Sequence, residues 1–232
     1  MLCIGHRGAM GHAPENTLLS MQKALELGVP WVELDVYEVE GHLIVIHDKT
    51  LERTTNGAGY VMEQTFDYLR SLDAGKGQKI PTLDEVFDLI QRRAGINIEL
   101  KGPDTAGPVA AFVDRYRLKG WTDDGVLVSS FNHRELKEIK GLDGAVRIGP
   151  LIKEIPEGNA AFAEEMGAFS VHVSLKYITR AFVEDAHHRG LKVYVYTINR
   201  LNDIARMRSF GVDGVFTNYP ERVLKKKEKQ YL

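Results

Sequence analysis

The chain has one cysteine, Cys3, in 232 residues. An intrachain disulfide is excluded, and nothing suggests an oxidising compartment. Neither sign of charge dominates: 30 Lys and Arg stand against 32 Asp and Glu, a formal net charge of −2. No global field therefore draws nucleic acid or an anionic membrane to the protein. Apolar runs long enough to span a bilayer are missing. Met1-Leu2-Cys3-Ile4 has neither the basic flank nor the apolar stretch of a secretory leader. These absences lead us to expect a cytoplasmic protein with no nucleic-acid partner and no stable membrane insertion. Cys3 itself, in a short apolar strand, reads as a small buried hydrophobe. A G-x-G-x-x-G turn after the first strand is also lacking, which argues against a dinucleotide-binding sheet. No internal repeat or low-complexity segment is visible. The basic run Lys225-Lys226-Lys227-Glu228-Lys229 reads as a solvated chain end rather than a lipid anchor.

What is present is an alternation of strand-like and helix-like patterns. Strands are expected at Leu2–Gly5, Trp31–Val36, Ile96–Leu100, Val126–Ser130, Ala145–Ile148, Ser170–Val173, Lys192–Thr197 and Gly214–Thr217. Helices are expected at Thr17–Leu27, Leu83–Ile90, Val109–Leu118, Arg134–Lys140, Ala160–Met166, Thr179–Arg189, Leu201–Phe210 and Pro220–Lys225. Thr82 followed by Glu85 is a capping-box pattern, and Gly28, Gly190 and Gly211 are stops. Eight β-then-α units in this length point to a (β/α)8 TIM barrel, with a doubly wound open sheet as the rival. The whole chain, 1–232, reads as a single domain of that class. One stretch breaks the alternation. Glu40-Gly41-His42 followed by Leu43–His47 reads as a hairpin. Residues 48–81 then read as a small turn-rich insertion after the second strand.

The chemistry collects at strand ends. His6 and Arg7 follow the first strand, and His47-Asp48 follows the hairpin. Glu33 and Asp35 are two apart on one strand, so both side chains share a face, roughly 7 Å apart. Asn97, Glu99 and Lys101 share a face of the next barrel strand, while Val32, Leu34, Val36, Ile96, Ile98 and Leu100 point the other way. A barrel interior normally carries Val, Ile and Leu. Converging carboxylates raise each other's pKa unless a cation compensates them. Oxygen-only ligands point to one divalent cation, Mg²⁺ or Ca²⁺, rather than Zn²⁺. Arg7 and Lys101 suit the charge on a phosphoryl group. His6 and His47 suit general acid and base work near neutrality. Singly, each residue has a bland reading: a structural histidine, an exposed acidic edge, a surface ion pair. Coincidence of all of them at strand C-termini favours a site. His12 and His42 lie in loops that could line its mouth, and His172 on the sixth strand could face the lumen. His133 opens a helix, and His187 and His188 read as a solvated helix end.

These residues also carry a likeness. Gly5-His6-Arg7-Gly8, Pro14-Glu15-Asn16-Thr17, Val32-Glu33-Leu34-Asp35-Val36, Ile46-His47-Asp48, Arg53-Thr54-Thr55-Asn56-Gly57 and Ile98-Glu99-Leu100-Lys101, in this order, resemble the glycerophosphodiester phosphodiesterase family. The likeness continues through Ser129-Ser130-Phe131-Asn132, Tyr196-Thr197-Ile198-Asn199 and Gly211–Pro220, so it covers nearly the whole chain. The resemblance implies a TIM barrel and cleavage of a glycerophosphodiester to sn-glycerol 3-phosphate and an alcohol. It implies Glu33, Asp35 and Glu99 as metal ligands, His6 and His47 as the acid–base pair, and Arg7 and Lys101 on the phosphate. Asn218 stands where the family often has Asp, and Tyr196 where it often has Trp. The expected partner is a small glycerophosphodiester, and a homo-oligomer is compatible with the sequence. Two other readings are carried. One is a lysophospholipase D, using Val61, Met62, Phe66, Tyr68 and Leu69 as an apolar groove, although those residues read better as the insertion's own core. The other is a barrel that binds phosphoesters without turnover.

Overall fold

In the computed structural model, which describes residues 1–224, the strands are β1 (Leu2–Gly5), β2 (Trp31–Val39), β3 (His42–Val45), β4 (Gly95–Leu100), β5 (Val126–Ser130), β6 (Arg147–Ile152), β7 (Ser170–Ser174), β8 (Lys192–Tyr196) and β9 (Gly214–Thr217). The helices are α1 (Leu18–Glu26), α2 (Phe66–Ser71), α3 (Leu83–Ile90), α4 (Ala106–Leu118), α5 (His133–Leu142), α6 (Ala161–Glu165), α7 (Arg180–His188) and α8 (Leu201–Phe210). All strands but β3 pair in parallel in the order β1-β9-β8-β7-β6-β5-β4-β2, and β1 pairs with β2 to close the ring. The result is the (β/α)8 barrel the alternation predicts.

Two apolar layers lie between the ring and its helices. Val32, Leu34, Val36, Ile96, Ile98 and Leu100 all pack outward into the first, against α3 and α4 residues such as Phe87 and Val109. Val171, Val193 and Val215 anchor the second with Phe182 and Met207. Inside the ring, Ile4, Leu127, Tyr194 and Phe216 form a small apolar floor. Cys3 is buried, and burial pushes its thiol up to about 12, so it behaves as the small hydrophobe expected. Helix starts follow their caps. Thr82 accepts from the Glu85 N–H and the Glu85 side chain accepts from the Thr82 N–H, the reciprocal box anticipated.

Several expectations need correction. β6 runs to Ile152, not Ile148, and carries Gly149 and Pro150 in its middle. That pair reads as a turn, yet a Cβ at Gly149 would stand 2.5 Å from His172 Nε2, so only glycine lets β6 pass the buried ring. α4 begins at Ala106 because buried Glu135 accepts from the Ala106 N–H, a cap supplied from another helix. The last expected helix is a single 3₁₀ turn, Pro220–Arg222; its predicted end, like the basic run from Lys225, lies outside the described residues.

β2 is longer than its apolar run and turns back at Glu40-Gly41, both with positive φ, into antiparallel β3. Between β3 and α3 stand a 3₁₀ turn at Val61–Glu63 and α2, a helix the turn-rich composition hides. Val61 and Leu69 are buried with Ile44, Ile46, Leu51 and Ile80 in a core of their own, while Met62 and Tyr68 are exposed.

Candidate active site

Gly8 sets the first piece in place. Its φ is +81°, and a Cβ there would stand 2.6 Å from the Ser20 carbonyl carbon. The loop after β1 thereby turns tightly against α1, with Ser20 Oγ donating to the Arg7 carbonyl at 2.7 Å. This orients His6 and Arg7 over the C-terminal end of the barrel. The Arg7 N–H donates to Glu33 Oε2 at 2.9 Å, and Arg7 Nε lies 3.3 Å from Asp35 Oδ2.

β2 and β4 supply the carboxylates by register. Asp35 pairs with Glu99 and Glu33 with Asn97, so the acidic faces of the two strands coincide. One oxygen from each of Glu33, Asp35 and Glu99 lies within 4.8 Å of the others. All three residues are buried. Glu33 Oε1 and Asp35 Oδ1 are buried without a hydrogen-bond partner. Burial, then repulsion from Asp35 and Glu99, holds Glu33 well above the ordinary carboxylate range. Burial, then repulsion from Asp35, brings Glu99 to about 7, against the pull of Lys101. Lys101 Nζ donates to Glu99 Oε1 at 2.7 Å and stands 3.5 Å from Asp35 Oδ1. Burial alone would lower the ammonium's pKa; Asp35 and Glu99 outweigh it and raise it. Three carboxylates against the two cations Arg7 and Lys101 leave negative charge over. Two orphaned carboxylate oxygens and an all-oxygen donor set are what a hard divalent cation requires, so the residues fit such a metal.

His47 comes from the hairpin side. The Ile46 N–H donates to the Asp35 carbonyl at 3.0 Å, which continues the β2–β3 pairing and carries His47 to the rim. His47 Nδ1 contacts Asp48 Oδ1 at 2.5 Å, and His6 Nδ1 contacts Asn218 Oδ1 at 2.7 Å. Both rings therefore turn Nε2 away from these anchors, and both line a cavity of 150 Å³ with Arg7, Glu33, Glu99 and Lys101. Phe131, Leu151, Tyr196 and Phe216 form its apolar wall. Burial, then the charge of Arg7, lowers His6 to about 4. Burial also lowers His47, although Asp35 and Asp48 oppose it.

All seven residues singled out in the sequence thus meet at one end of the barrel. Their supports were not singled out. Asn16, buried and at φ 57°, donates from Nδ2 to Asp35 Oδ2 at 2.9 Å. Arg53 donates to both oxygens of Asp48, at 2.5 and 3.0 Å, and to both of Glu15, at 2.8 Å. Glu15 also accepts from Arg7 Nη1 at 2.6 Å. Despite the burial that opposes it, Arg53 and Arg7 hold the Glu15 carboxyl down at about 2. A chain of charge-assisted bonds so joins His47 to Arg7 through Asp48, Arg53 and Glu15. The signal for it was the likeness-bearing Pro-Glu-Asn-Thr and Arg-Thr-Thr-Asn-Gly runs, which no local pattern links to the site.

The remaining histidines stand elsewhere. His12 contacts Glu221, and His42 stacks on Phe66 at 3.8 Å; neither lines the cavity. His172 does face the lumen, fully buried, with Nε2 on Ser170 Oγ at 2.9 Å. His133 Nε2 contacts the Leu151 carbonyl, and His187 contacts Asp213.

Comparison with known proteins gives a consistent result. Residues 6–222 match the family model of the Glycerophosphoryl diester phosphodiesterase family. A glycerophosphodiester phosphodiesterase of Caldanaerobacter subterraneus is 36% identical over 237 residues, covering 96% of each chain. One from Bacillus subtilis is 33% identical over 95% of this chain and 84% of its own. Among solved structures, an Oleispira antarctica phosphodiesterase in complex with the product sn-glycerol-3-phosphate superposes with a TM-score of 0.89 at 32% identity, over 96% of this chain and 95% of that one.

Proposed function

This chain belongs to the glycerophosphodiester phosphodiesterase family and is an enzyme of that activity, and from that premise we propose how its own residues carry the reaction. The substrate is a small glycerophosphodiester, and the products are sn-glycerol 3-phosphate and an alcohol. Glu33, Asp35 and Glu99 hold one divalent cation, Mg²⁺ or Ca²⁺. When bound, that ion supplies positive charge to the phosphoryl oxygens and eases ionisation of an attacking hydroxyl. Arg7 and Lys101 orient the phosphate and share its charge in the transition state. What carries the reading is the convergence of three buried carboxylates, two of them with orphaned oxygens, beneath two histidines that line one cavity.

The two histidines divide the proton work by their partners. His6 donates Nδ1–H to a neutral amide, so its Nε2 keeps a lone pair, and its pKa near 4 holds the ring neutral. His6 is the base that takes the proton of the attacking oxygen, that of water or of the neighbouring glycerol hydroxyl; in the second case water then opens the cyclic phosphate to sn-glycerol 3-phosphate. His47 is lowered by burial, but the Asp48 carboxylate on Nδ1 opposes this and favours the imidazolium form. His47 is the acid that gives its Nε2 proton to the departing alcohol oxygen as the ester P–O bond breaks. Among the described residues no helix is long and apolar enough to cross a membrane.

The direct experiment follows release of glycerol 3-phosphate from glycerophosphoglycerol. EDTA abolishes it and Mg²⁺ or Ca²⁺ restores it. His6→Ala and His47→Ala each lower kcat by about 100-fold or more. Rates unchanged in both variants would sink the acid–base roles, and EDTA-resistant turnover would sink the metal.

A further inference from the structure

Beside the catalytic cavity lies a second, larger space of 760 Å³. The two share His47, Glu99, Lys101 and Phe131 as a common wall. Beyond that wall the groove is lined by Lys49 and Lys153, both exposed, and by Asn132 and Thr50. Among the described residues, neither ammonium has a carboxylate within salt-bridge distance. The acidic groups nearby are already engaged. Asp48 is held by His47 and Arg53, Glu99 by Lys101, and Glu154, next to Lys153, accepts from the Tyr177 hydroxyl at 2.9 Å.

Phe131 makes the point sharper. Phe131 is 41% exposed and lines both spaces. An exposed aromatic face beside a phosphodiesterase cavity is what a quaternary ammonium group would seek. Here two cations already stand over that ring: Lys101 Nζ lies 5.9 Å and Lys153 Nζ 5.8 Å from its centroid. A third cation would meet their repulsion, and the two carboxylates that line the groove, Asp48 and Glu99, are already paired with Arg53 and Lys101.

We propose that this groove is the leaving-alcohol subsite and that it selects alcohols carrying negative charge, such as a phosphorylated polyol, over quaternary ammonium alcohols. The proposal rests on the reaction assigned above. The enclosed cavity takes the glycerol phosphate end, and the alcohol extends past Phe131 between Lys49 and Lys153. Both lysines are solvated, so the discrimination is moderate and falls with salt.

The test compares kcat/KM for three substrates sharing the same glycerol phosphate half: glycerophosphocholine, glycerophosphoglycerol, and glycerophosphoglycerol bearing a terminal phosphate. At low ionic strength the phosphorylated substrate is preferred over the choline one by on the order of tenfold, and the preference shrinks as salt is raised. In Lys49→Glu/Lys153→Glu the ratio falls to one or inverts; Lys49→Gln/Lys153→Gln gives an intermediate ratio and guards against a folding artefact. Equal kcat/KM for all three substrates at low salt overturns the proposal, as does a ratio unaltered in both double variants. Absence of turnover on every substrate strikes the assigned reaction instead, so the two failures are distinct.

Discussion

Arg53 is 48% exposed and lies outside the catalytic cavity, yet its removal should slow the enzyme. Its guanidinium forks to Asp48 on one side and to Glu15 on the other, two bonds to each. In Arg53→Ala, Asp48 keeps only His47, and Glu15, 9% exposed, keeps only Arg7. Charge-assisted bonds contribute about 1.5–3 kcal/mol each when sheltered. Half exposure and salt screening reduce the whole bridge to about 1–2 kcal/mol. If that energy holds His47 in its reactive orientation, kcat drops about 5- to 30-fold with KM little changed. The pH profile moves too. Arg53 is the first cause of the depressed Asp48 pKa. Freed of it, the Asp48 carboxylate stabilises the His47 imidazolium more, and the alkaline limb of kcat shifts upward. Arg53→Lys keeps the charge but loses the fork, so it returns the limb to its place and restores only part of kcat. The assay is steady-state release of glycerol 3-phosphate across pH 5–9, with thermal melting alongside. A kcat within twofold of the parent, or a lowered melting temperature with an unmoved limb, would refute the positioning argument.

Other expectations follow from the same geometry. Asn218→Asp places a charge on His6 Nδ1, raising its pKa from near 4 toward neutrality; kcat/KM at pH 6 should fall several-fold while the rate at pH 8 is kept, and superimposable profiles would count against His6 as the base. Mg²⁺ or Ca²⁺ should raise the melting temperature by an amount that grows with its concentration, about 2.7 kcal/mol at one hundred times Kd, and Glu33→Gln/Asp35→Asn should abolish that rise. His6 and His172 have folded pKa values depressed from 6.5 to about 4 and about 3. The unfolded chain therefore binds their protons first; the contribution of these two histidines is whole above pH 6.5 and is lost as pH falls through the 6.5-to-3 window, by up to about 3 kcal/mol for His6 alone, while the raised Glu33 and Glu99 act with the opposite sign. Urea melts from pH 7.5 to 4 measure this, and His172→Gln should flatten the loss; an equal slope in both proteins would contradict it.

The strength of the sequence pattern varied with the physics behind each piece. Val32, Leu34 and Val36 alternate with Glu33 and Asp35, and a period of two can be satisfied only by a strand with one polar and one apolar face. That alternation was enough to place the carboxylates inside the ring. β6 was less legible because Gly149-Pro150 carries turn chemistry, and the reason for glycine, the His172 ring, is 23 residues further on. α2 was missed because a six-residue helix amid turn residues has too little periodicity to register. Arg53 and Glu15 are 38 residues apart, and a bond across that separation leaves no local trace.

Residue type and spacing alone determined the β-then-α alternation, the polar faces of β2 and β4, and which side chains had chemistry to offer. They do so because secondary-structure period and the chemical type of a side chain are local properties. Tertiary structure decided the rest. It set the register that puts Asp35 beside Glu99, and the burial that leaves two carboxylate oxygens without partners. It gave His6 an amide and His47 a carboxylate, and it stood two lysines over Phe131. Each of these depends on atoms brought together across the barrel, and electrostatic energy depends on distance and burial rather than on order along the chain.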